Sequence, residues 1–253
     1  MAIDKNSNAF TFGFAIAMVV VVGAALSFAS MSLKPRQQAN KIQKDMMSIL
    51  SSINVESDRS NASEMFYQYI TKRATLNYSG EIIETREGEI SATDADDPFN
   101  VDVQKEYRNP DLKPEDRNYP IYFAEKDGKE LLVVPMVGKG LWGPIWGYVS
   151  LEGDYNTVYG ATFDHKSETP GLGAEIKEPM FEDPFKGKKI YNDQGELVSI
   201  NVKKGGAAPE NEHAVDGITG GTITSNGVDE MLSRTLGVYD KYFKEKTQIT
   251  LAQ

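Results

Sequence analysis

The sequence predicts an α+β fold, in which an antiparallel sheet with flanking helices is preceded by one transmembrane helix. Three observations support this fold class. The chain of 253 residues opens with a long uncharged apolar run, its middle holds several β-branched and aromatic runs between turn residues, and its last segment carries an apolar stripe at helical spacing. Because the strands follow one another instead of alternating with helices, an antiparallel sheet is favoured.

The apolar run covers residues 9–31, and no charged residue occurs between Lys5 and Lys34. As a helix that rises ~1.5 Å per residue, it covers the roughly 30 Å hydrocarbon core of a bilayer. The apolar region of a cleaved signal peptide is shorter, usually about 7–15 residues. The sequence therefore predicts a short amino-terminal tail at 1–8 and a membrane-anchoring helix at 9–31.

The charges around this helix do not decide its orientation. One basic residue, Lys5, precedes the helix. Four basic residues follow it, namely Lys34, Arg36, Lys41 and Lys44. The positive-inside rule would keep the following domain in the cytoplasm, but the rule weakens for long translocated domains. The helix has no ionisable residue, so it cannot form an ion path by itself.

A helical connector is predicted at 32–76. Apolar residues recur at helical spacing directly after the membrane helix. The segment Ala62–Arg73 then predicts a second helix, with Ser60 or Asn61 as its cap. The acidic segment 79–118 is predicted to be loop with short strands.

The folded domain is predicted over 77–253, and a β-hairpin lies near its centre. Two apolar runs flank Asp127 and Gly128, which is a strong hairpin signal. The segments "IWGYVSLEG", "NTVYGATFD" and "ELVSINVKKG" continue the series of strands. A final helix is predicted from an apolar stripe formed by Val228, Met231, Leu232, Thr235, Tyr239, Tyr242 and Phe243.

The composition excludes several classes of function. The chain has no cysteine, which excludes disulfides, thiolate catalysis and cysteine-bound iron–sulfur clusters. It has two histidines, so a histidine-rich metal site or a catalytic triad has little material. The formal net charge of −10 argues against nucleic acid as a partner, because phosphate binding requires clustered Lys and Arg. No metal site is predicted.

Two glycine-rich segments follow predicted strands. "GKGLWG", residues 138–143, matches the GxGxxG pattern, but Pro144 and a strand follow where a dinucleotide site needs a helix. A turn between strands is therefore favoured, and stacking of its glycines and tryptophan on a flat ring stays open. "HKSETPGLG", residues 165–173, is predicted to be a loop that opens a short helix.

The third glycine-rich segment, "DGITGGTITSNG", covers residues 216–227. Its glycines permit a tight turn, and Thr224, Ser225 or Asn226 is the predicted cap of the last helix. Hydroxyls and backbone amides at the amino end of a helix bind phosphate without a cation. The segment is therefore either a helix-entry loop or a phosphate site.

The segment "DGITGGT", Asp216 to Thr222, resembles the flavinylation motif of the FMN-binding domain family, and "ETPGLG", Glu168 to Gly173, resembles the second hallmark of that family. The resemblance implies that Thr222 holds FMN covalently through a phosphoester. It also implies that a separate flavin transferase makes this bond with the FMN unit of FAD. Gly221 stands where the family usually has alanine, which bears on recognition by the transferase.

The same resemblance implies roles for the other site residues. Asp216 would serve recognition by the transferase and its metal. Residues that would shape the loop are Thr219, Gly220 and Gly221. Residues that would flank the flavin are Glu168, Thr169, Leu172 and Gly173. A weaker prediction for the other face of the flavin ring consists of Gly140, Leu141 and Trp142.

The whole chain resembles the C subunits of sodium-translocating NADH:quinone reductases and, less closely, the G subunits of Rnf-type ferredoxin:NAD reductases. The first resemblance implies an electron-transfer subunit of a multi-subunit complex in the inner membrane, with the soluble domain facing the periplasm. NADH oxidation and quinone reduction would take place in other subunits, so no complete active site is expected in this chain. A membrane-anchored binding protein without a cofactor is the alternative from another class.

Overall fold

The computed structural model describes residues 7–251, with side chains up to residue 247. The chain divides into two compact units, Met1–Asp45 and Met46–Gln253. Most of the amino-terminal tail predicted at 1–8 lies outside the described residues.

The first unit consists of most of a long helix, α1 (Asn8–Ser52). The predicted membrane segment 9–31 lies within α1, and all but one of its residues are exposed. The helix is long and apolar enough to cross a membrane by length and composition. It continues without interruption to Ser52, so the first helix predicted in the connector is part of α1.

The second unit is built on a six-stranded antiparallel sheet in the order β2-β1-β3-β4-β5-β6. The strands are β1 (Ile70–Leu76), β2 (Ile82–Arg86), β3 (Tyr119–Lys126), β4 (Lys129–Lys139), β5 (Pro144–Glu152) and β6 (Val158–His165). A small parallel pair consists of β7 (Asn201–Lys203) and β8 (Ala214–Asp216). The further helices are α2 (Ala62–Tyr69), α3 (Val103–Arg108), α4 (Pro179–Glu182) and α5 (Thr222–Leu251). The predicted α+β fold with an antiparallel sheet and flanking helices is confirmed.

The end of α1 docks on this sheet. Ser150 of β5 donates a hydrogen bond of 2.5 Å to the Ser52 carbonyl. The Lys126 ammonium donates to the carbonyls of Ile53 and Asn54, at 3.0 and 2.8 Å. A cation at the carboxyl end of a helix satisfies its free carbonyls and complements its dipole. The last turn of α1 is therefore held firmly by strands β3 and β5.

The long helix α5 packs on β4 and closes the core. All seven residues of the predicted stripe are buried, and most belong to a cluster that also includes apolar side chains of β3 to β6. Gly138 and Gly227 permit this close approach. A Cβ at 227 would overlap the Lys139 carbonyl, and one at 138 would lie 2.8 Å from Met231 Cβ. The beginning of α5 therefore lies against the end of β4.

Both turns of the central strands agree with the sequence predictions. Asp127 and Gly128 both have positive φ, as a two-residue hairpin turn of type I′ requires. The "GKGLWG" segment connects β4 to β5, and the Gly140 amide donates to the Gly143 carbonyl at 2.8 Å. Because an antiparallel strand follows, this segment is a turn and not a dinucleotide fingerprint.

The predicted helix Ala62–Arg73 is wrong beyond Tyr69. Residues 70–76 form β1 between β2 and β3, so the helical connector predicted to residue 76 ends earlier. The side chains of Ile70, Ala74 and Leu76 are buried in the sheet. Pairing with two strands and this burial outweigh the local helix preference of the segment.

Two smaller differences come from local backbone geometry. The predicted strand "ELVSINVKKG" yields only β7, because Ser199 has φ +60° and interrupts the extended backbone. Short strands were predicted in the acidic segment 79–118, but it contains one strand, β2, and helix α3. Asp102 caps α3 by accepting a hydrogen bond of 3.0 Å from the Lys105 amide.

We expect Glu182, at the end of α4, to make the stability of the folded chain depend on pH. Burial raises the pKa of its carboxyl to about 7. The hydrogen bond of 2.5 Å that the Phe163 amide donates to this carboxyl lowers the pKa, but burial has the larger effect. Between pH 4.5 and 7 the unfolded chain loses this proton while the folded chain keeps it, so stability falls as the pH rises. We expect Glu182→Gln to gain on the order of 1–2 kcal/mol relative to wild type between about pH 5 and pH 8, after discounting for partial exposure. Denaturant unfolding of both proteins at the two pH values measures this gain, and an equal difference at both would contradict it.

Candidate functional site

A buried carboxylate connects the three glycine-rich segments. Glu168 is 5 % exposed, and its Oε1 accepts a hydrogen bond of 2.8 Å from the Trp142 amide in the β4–β5 turn. Its Oε2 accepts one of 2.6 Å from the Thr224 hydroxyl in the first turn of α5. The segments 138–143, 165–173 and 216–227, which are distant in sequence, therefore meet at one side chain.

Two of the predicted site glycines make room for this carboxylate. A Cβ at position 140 would lie 2.6 Å from Glu168 Oε1. A Cβ at position 173 would overlap Thr224 Oγ1 and lie 2.6 Å from Glu168 Oε2. Gly140 and Gly173 are both buried, so in this structure they accommodate the hydrogen bonds of Glu168.

The loop before α5 is held by its own contacts. The Ile218 amide donates to Ser225 Oγ at 2.9 Å, and the Gly221 amide donates to the Ile218 carbonyl at 3.0 Å. Gly220 has φ +79°, which an L side chain rarely adopts, and a Cβ there would lie 2.6 Å from Leu172 Cδ2. The loop thus fits directly against the "ETPGLG" segment.

Thr222 is the first residue of α5 and is partly exposed. The helix therefore begins before Thr224, Ser225 and Asn226, so the prediction that one of these residues caps it is wrong. Thr224 and Ser225 instead point inward and bind Glu168 and the loop. The first amides of a helix have no acceptor within the helix, and the helix dipole favours an anion there. The surroundings of the Thr222 hydroxyl are therefore suited to a phosphate.

Exposed apolar side chains belong to the same three segments. Leu141 and Trp142 lie in the β4–β5 turn, Leu172 in the "ETPGLG" segment and Ile223 next to Thr222, and between 41 and 65 % of each residue is exposed. Trp142 therefore does not pack into the core as a structural turn residue would. Large apolar side chains at a polar loop cluster are suited to contact with a flat organic ring.

Asp216 and Thr219 lie at the outer side of the loop, where both residues are exposed. The Asp216 carboxylate accepts a hydrogen bond from the Ala207 amide. Thr169 is exposed too, and its carbonyl accepts from the amides of Leu172 and Ala174 at 3.1 Å each. Asp216, Thr219 and the Thr169 side chain are thus accessible to a second protein.

Two residues at the site lay outside the predicted set. Thr224 entered the sequence prediction only as a helix cap, and His165 only as the first residue of its loop. The His165 Nδ1 atom accepts a hydrogen bond of 3.1 Å from the Glu168 amide, which helps to fix the backbone of that residue. A partner 56 residues away for Thr224 leaves no local sequence signal. Within residues 7–247, no group of three His, Asp or Glu side chains is arranged to hold a metal ion.

The loops of the antiparallel sheet place a helix start that is suited to phosphate beside exposed apolar side chains. This arrangement is that of a cofactor-binding domain. Residues 140–237 match the FMN-binding domain family. The match covers every predicted site residue. The chain is 32 % identical over 246 residues to the C subunit of the Na(+)-translocating NADH-quinone reductase from Vibrio alginolyticus, covering 96 % of this chain and 95 % of that protein. It therefore belongs to the family formed by the C subunits of Na(+)-translocating NADH-quinone reductases.

Solved structures agree with this assignment. The crystal structure of the corresponding C subunit of the Na(+)-translocating NADH-quinone reductase from Parabacteroides distasonis is 41 % identical to this chain. The match covers 83 % of this chain and 96 % of that one, with a TM-score of 0.71. The structure of NqrC from Shewanella oneidensis, 24 % identical with a TM-score of 0.67, shares the fold over 83 % of this chain and 99 % of its own. The matches to the C subunits from Vibrio alginolyticus and Parabacteroides distasonis favour the sodium-translocating complex over the Rnf-type alternative.

Proposed function

We propose that this chain is the electron-carrying subunit of a membrane-bound Na(+)-translocating NADH:quinone reductase and holds one FMN on Thr222 through a phosphoester. One observation carries the proposal. The three glycine-rich segments meet at Glu168, and the Thr222 hydroxyl stands at a helix start beside them. Family membership supports FMN as the cofactor.

The residues of the site suit the two parts of FMN. The amides at the start of α5 would bind the phosphate on Thr222. Leu172 and Trp142 would contact the ring from two of the three segments. Bound FMN would supply reversible electron transfer. The chain would supply the attachment point and the orientation of the ring.

We infer that a second protein makes the attachment, as the resemblance to the FMN-binding domain family implies. Glu168, the carboxylate that joins the three segments, already accepts a hydrogen bond at each of its oxygens. A flavin transferase would provide the base that takes the Thr222 proton. The accessible Asp216 and the open loop support docking of such an enzyme. The chain would hold no complete active site for NADH oxidation or quinone reduction.

The long apolar helix α1 supports a single-pass membrane anchor in the inner membrane. We infer that the soluble unit faces the periplasm, where flavin attachment takes place in the family that the sequence resembles. Other subunits of the same complex would then donate and accept the electrons. A covalent tether suits this role, because it keeps the flavin on an exposed site that partners must approach.

Intact-mass measurement of the chain purified from its native membrane tests the proposal. We expect a mass above that of the polypeptide by one FMN less one water, and digestion should locate the addition on Thr222. A chain of unmodified mass would favour the membrane-anchored binding protein without a cofactor. Identification of the co-purifying subunits separates the sodium-translocating complex from the Rnf-type complex.

A further inference from the structure

We propose that Thr224 is a positioning residue for flavin attachment, acting through its hydrogen bond to Glu168. The inference rests on the proposed attachment of FMN to Thr222. The bond would hold the first turn of α5 so that Thr222 faces outward, in the orientation that the transferase requires. Thr224 itself would contact neither the flavin nor the transferase.

The bond between Thr224 and Glu168 is short and buried. The hydroxyl lies 2.6 Å from Oε2, Thr224 is 1 % exposed and Glu168 is 5 % exposed. A hydroxyl that donates to a carboxylate makes one of the stronger hydrogen bonds in proteins, and a buried one is not exchanged for water. The bond is therefore suited to fix one side of the helix start.

Helix geometry converts this fixed side into an orientation of Thr222. Residues two apart on an α-helix are related by a rotation of roughly 200° around the axis, so their side chains point to nearly opposite sides of the helix. Thr224 is buried against Glu168, and Thr222 is correspondingly on the outer side and partly exposed. A rotation of this turn would move Thr224 away from Glu168 and Thr222 away from its outward position.

The neighbouring glycines leave space for this bond. A side chain at position 173 would occupy the place of Thr224 Oγ1, and one at position 140 would displace Glu168 Oε1. Ser225 holds the loop separately through the Ile218 amide. Loss of the Thr224 hydroxyl should therefore disturb the orientation of the first turn while the loop and the domain remain folded.

The step that would depend on this orientation is phosphoester formation. The Thr222 oxygen forms a bond to the FMN phosphorus of FAD, the bond between the two phosphates of FAD breaks, and AMP leaves. The hydroxyl proton passes to a base of the transferase. Since the transferase binds FAD, misplacement of Thr222 should lower kcat for the chain as substrate and leave KM for FAD unchanged. Small displacements of a reacting group can cost up to roughly 100-fold in rate.

The test compares full-length wild type, Thr224→Val and Thr224→Ser as substrates of the purified flavin transferase with FAD. Flavin fluorescence of the denatured band follows the transfer over time. We expect Thr224→Val to lower kcat at least about tenfold and Thr224→Ser to remain within about threefold of wild type. Thr247→Val is the matched control, because its hydroxyl donates to the Phe243 carbonyl later in α5, at 2.8 Å. Its transfer rate should equal that of wild type.

Glu168→Leu provides an independent variant. A leucine side chain accepts no hydrogen bond, so it removes the acceptor of the Thr224 hydroxyl together with that of the Trp142 amide. It should slow transfer, and adding Thr224→Val to it should slow transfer little further, because both changes remove the bond between positions 168 and 224. If Thr224→Val fails to unfold cooperatively, the transfer rate of Glu168→Leu is compared with that of wild type instead.

Three outcomes would overturn the inference: transfer to Thr224→Val at the wild-type rate, equal defects in the serine and valine variants, or additive effects of the two substitutions. A failure of the proposed function gives a different result. In that case wild type itself acquires no flavin from an active transferase.

Discussion

Thr222→Ala is expected to abolish covalently bound flavin completely, because no other hydroxyl takes the place of the Thr222 oxygen at the start of α5. The substitution should change the free energy of unfolding by less than about 1 kcal/mol, since the side chain is partly exposed. In-gel fluorescence of the denatured protein and its intact mass report the flavin. Circular dichroism during heating reports the fold.

Thr222→Ser is the matched control for this result. It keeps a hydroxyl at the same position, so it should retain flavin, although a lost methyl group alters the local contacts. A fluorescent Thr222→Ala band would contradict the assignment of the attachment site. Loss of flavin together with loss of the folding transition would assign the effect to the fold instead.

Asp97→Ala is expected to cause a large loss of stability in the second unit. Arg73 is 1 % exposed in β1 and forms two hydrogen bonds to the Asp97 carboxylate, of 3.0 and 2.8 Å. Its remaining terminal nitrogen donates to the Gly88 carbonyl at 2.8 Å. Without Asp97, the guanidinium keeps its charge in a buried position without a carboxylate, which typically costs about 3–5 kcal/mol. Denaturant unfolding of the chain in detergent measures the loss.

Asp94→Ala offers a comparison in the same loop. Asp94 pairs with Arg86 at 3.0 Å, but both side chains are about one-third exposed, so its removal should have little effect. Replacing both buried partners, Arg73→Leu with Asp97→Ala, should recover part of the loss because no buried charge then remains. Equal effects of Asp97→Ala and Asp94→Ala would show that the buried pair has no special weight.

Elements with strong local signals were predicted correctly from the sequence. The hairpin at Asp127-Gly128 depends on two residues that accept positive φ, and the stripe of α5 depends on helical spacing. The long helix α1 follows from the uncharged apolar run. Each of these features depends on residues that are close together in the sequence, so local patterns are sufficient to predict it.

Elements that depend on distant partners were not predicted. The segment 70–76 reads as helix, yet it becomes a strand because β2 and β3 pair with both of its edges. Asp97 reads as one carboxylate of an acidic loop, yet it is buried because Arg73 in β1 binds it. Neither outcome has a local signal, since each requires a partner that is distant along the chain.

The site shows the same division. The sequence identified the three glycine-rich segments and, by resemblance, the residues that would hold FMN. Only the structure brings these segments to one carboxylate and turns Thr224 inward as Thr222 faces out. The structure also gives Gly140 and Gly173 a second role, because a side chain at either position would disrupt the hydrogen bonds of Glu168.

The sequence by itself determined the class of fold, the apolar amino-terminal helix and the threonine proposed to carry the cofactor. The tertiary structure decided which side chains meet around that threonine and which charges are buried. The reason is physical. Turn chemistry and apolar periodicity act between neighbouring residues, whereas a buried hydrogen bond such as that between Glu168 and Thr224 exists only after the sheet and α5 have packed together.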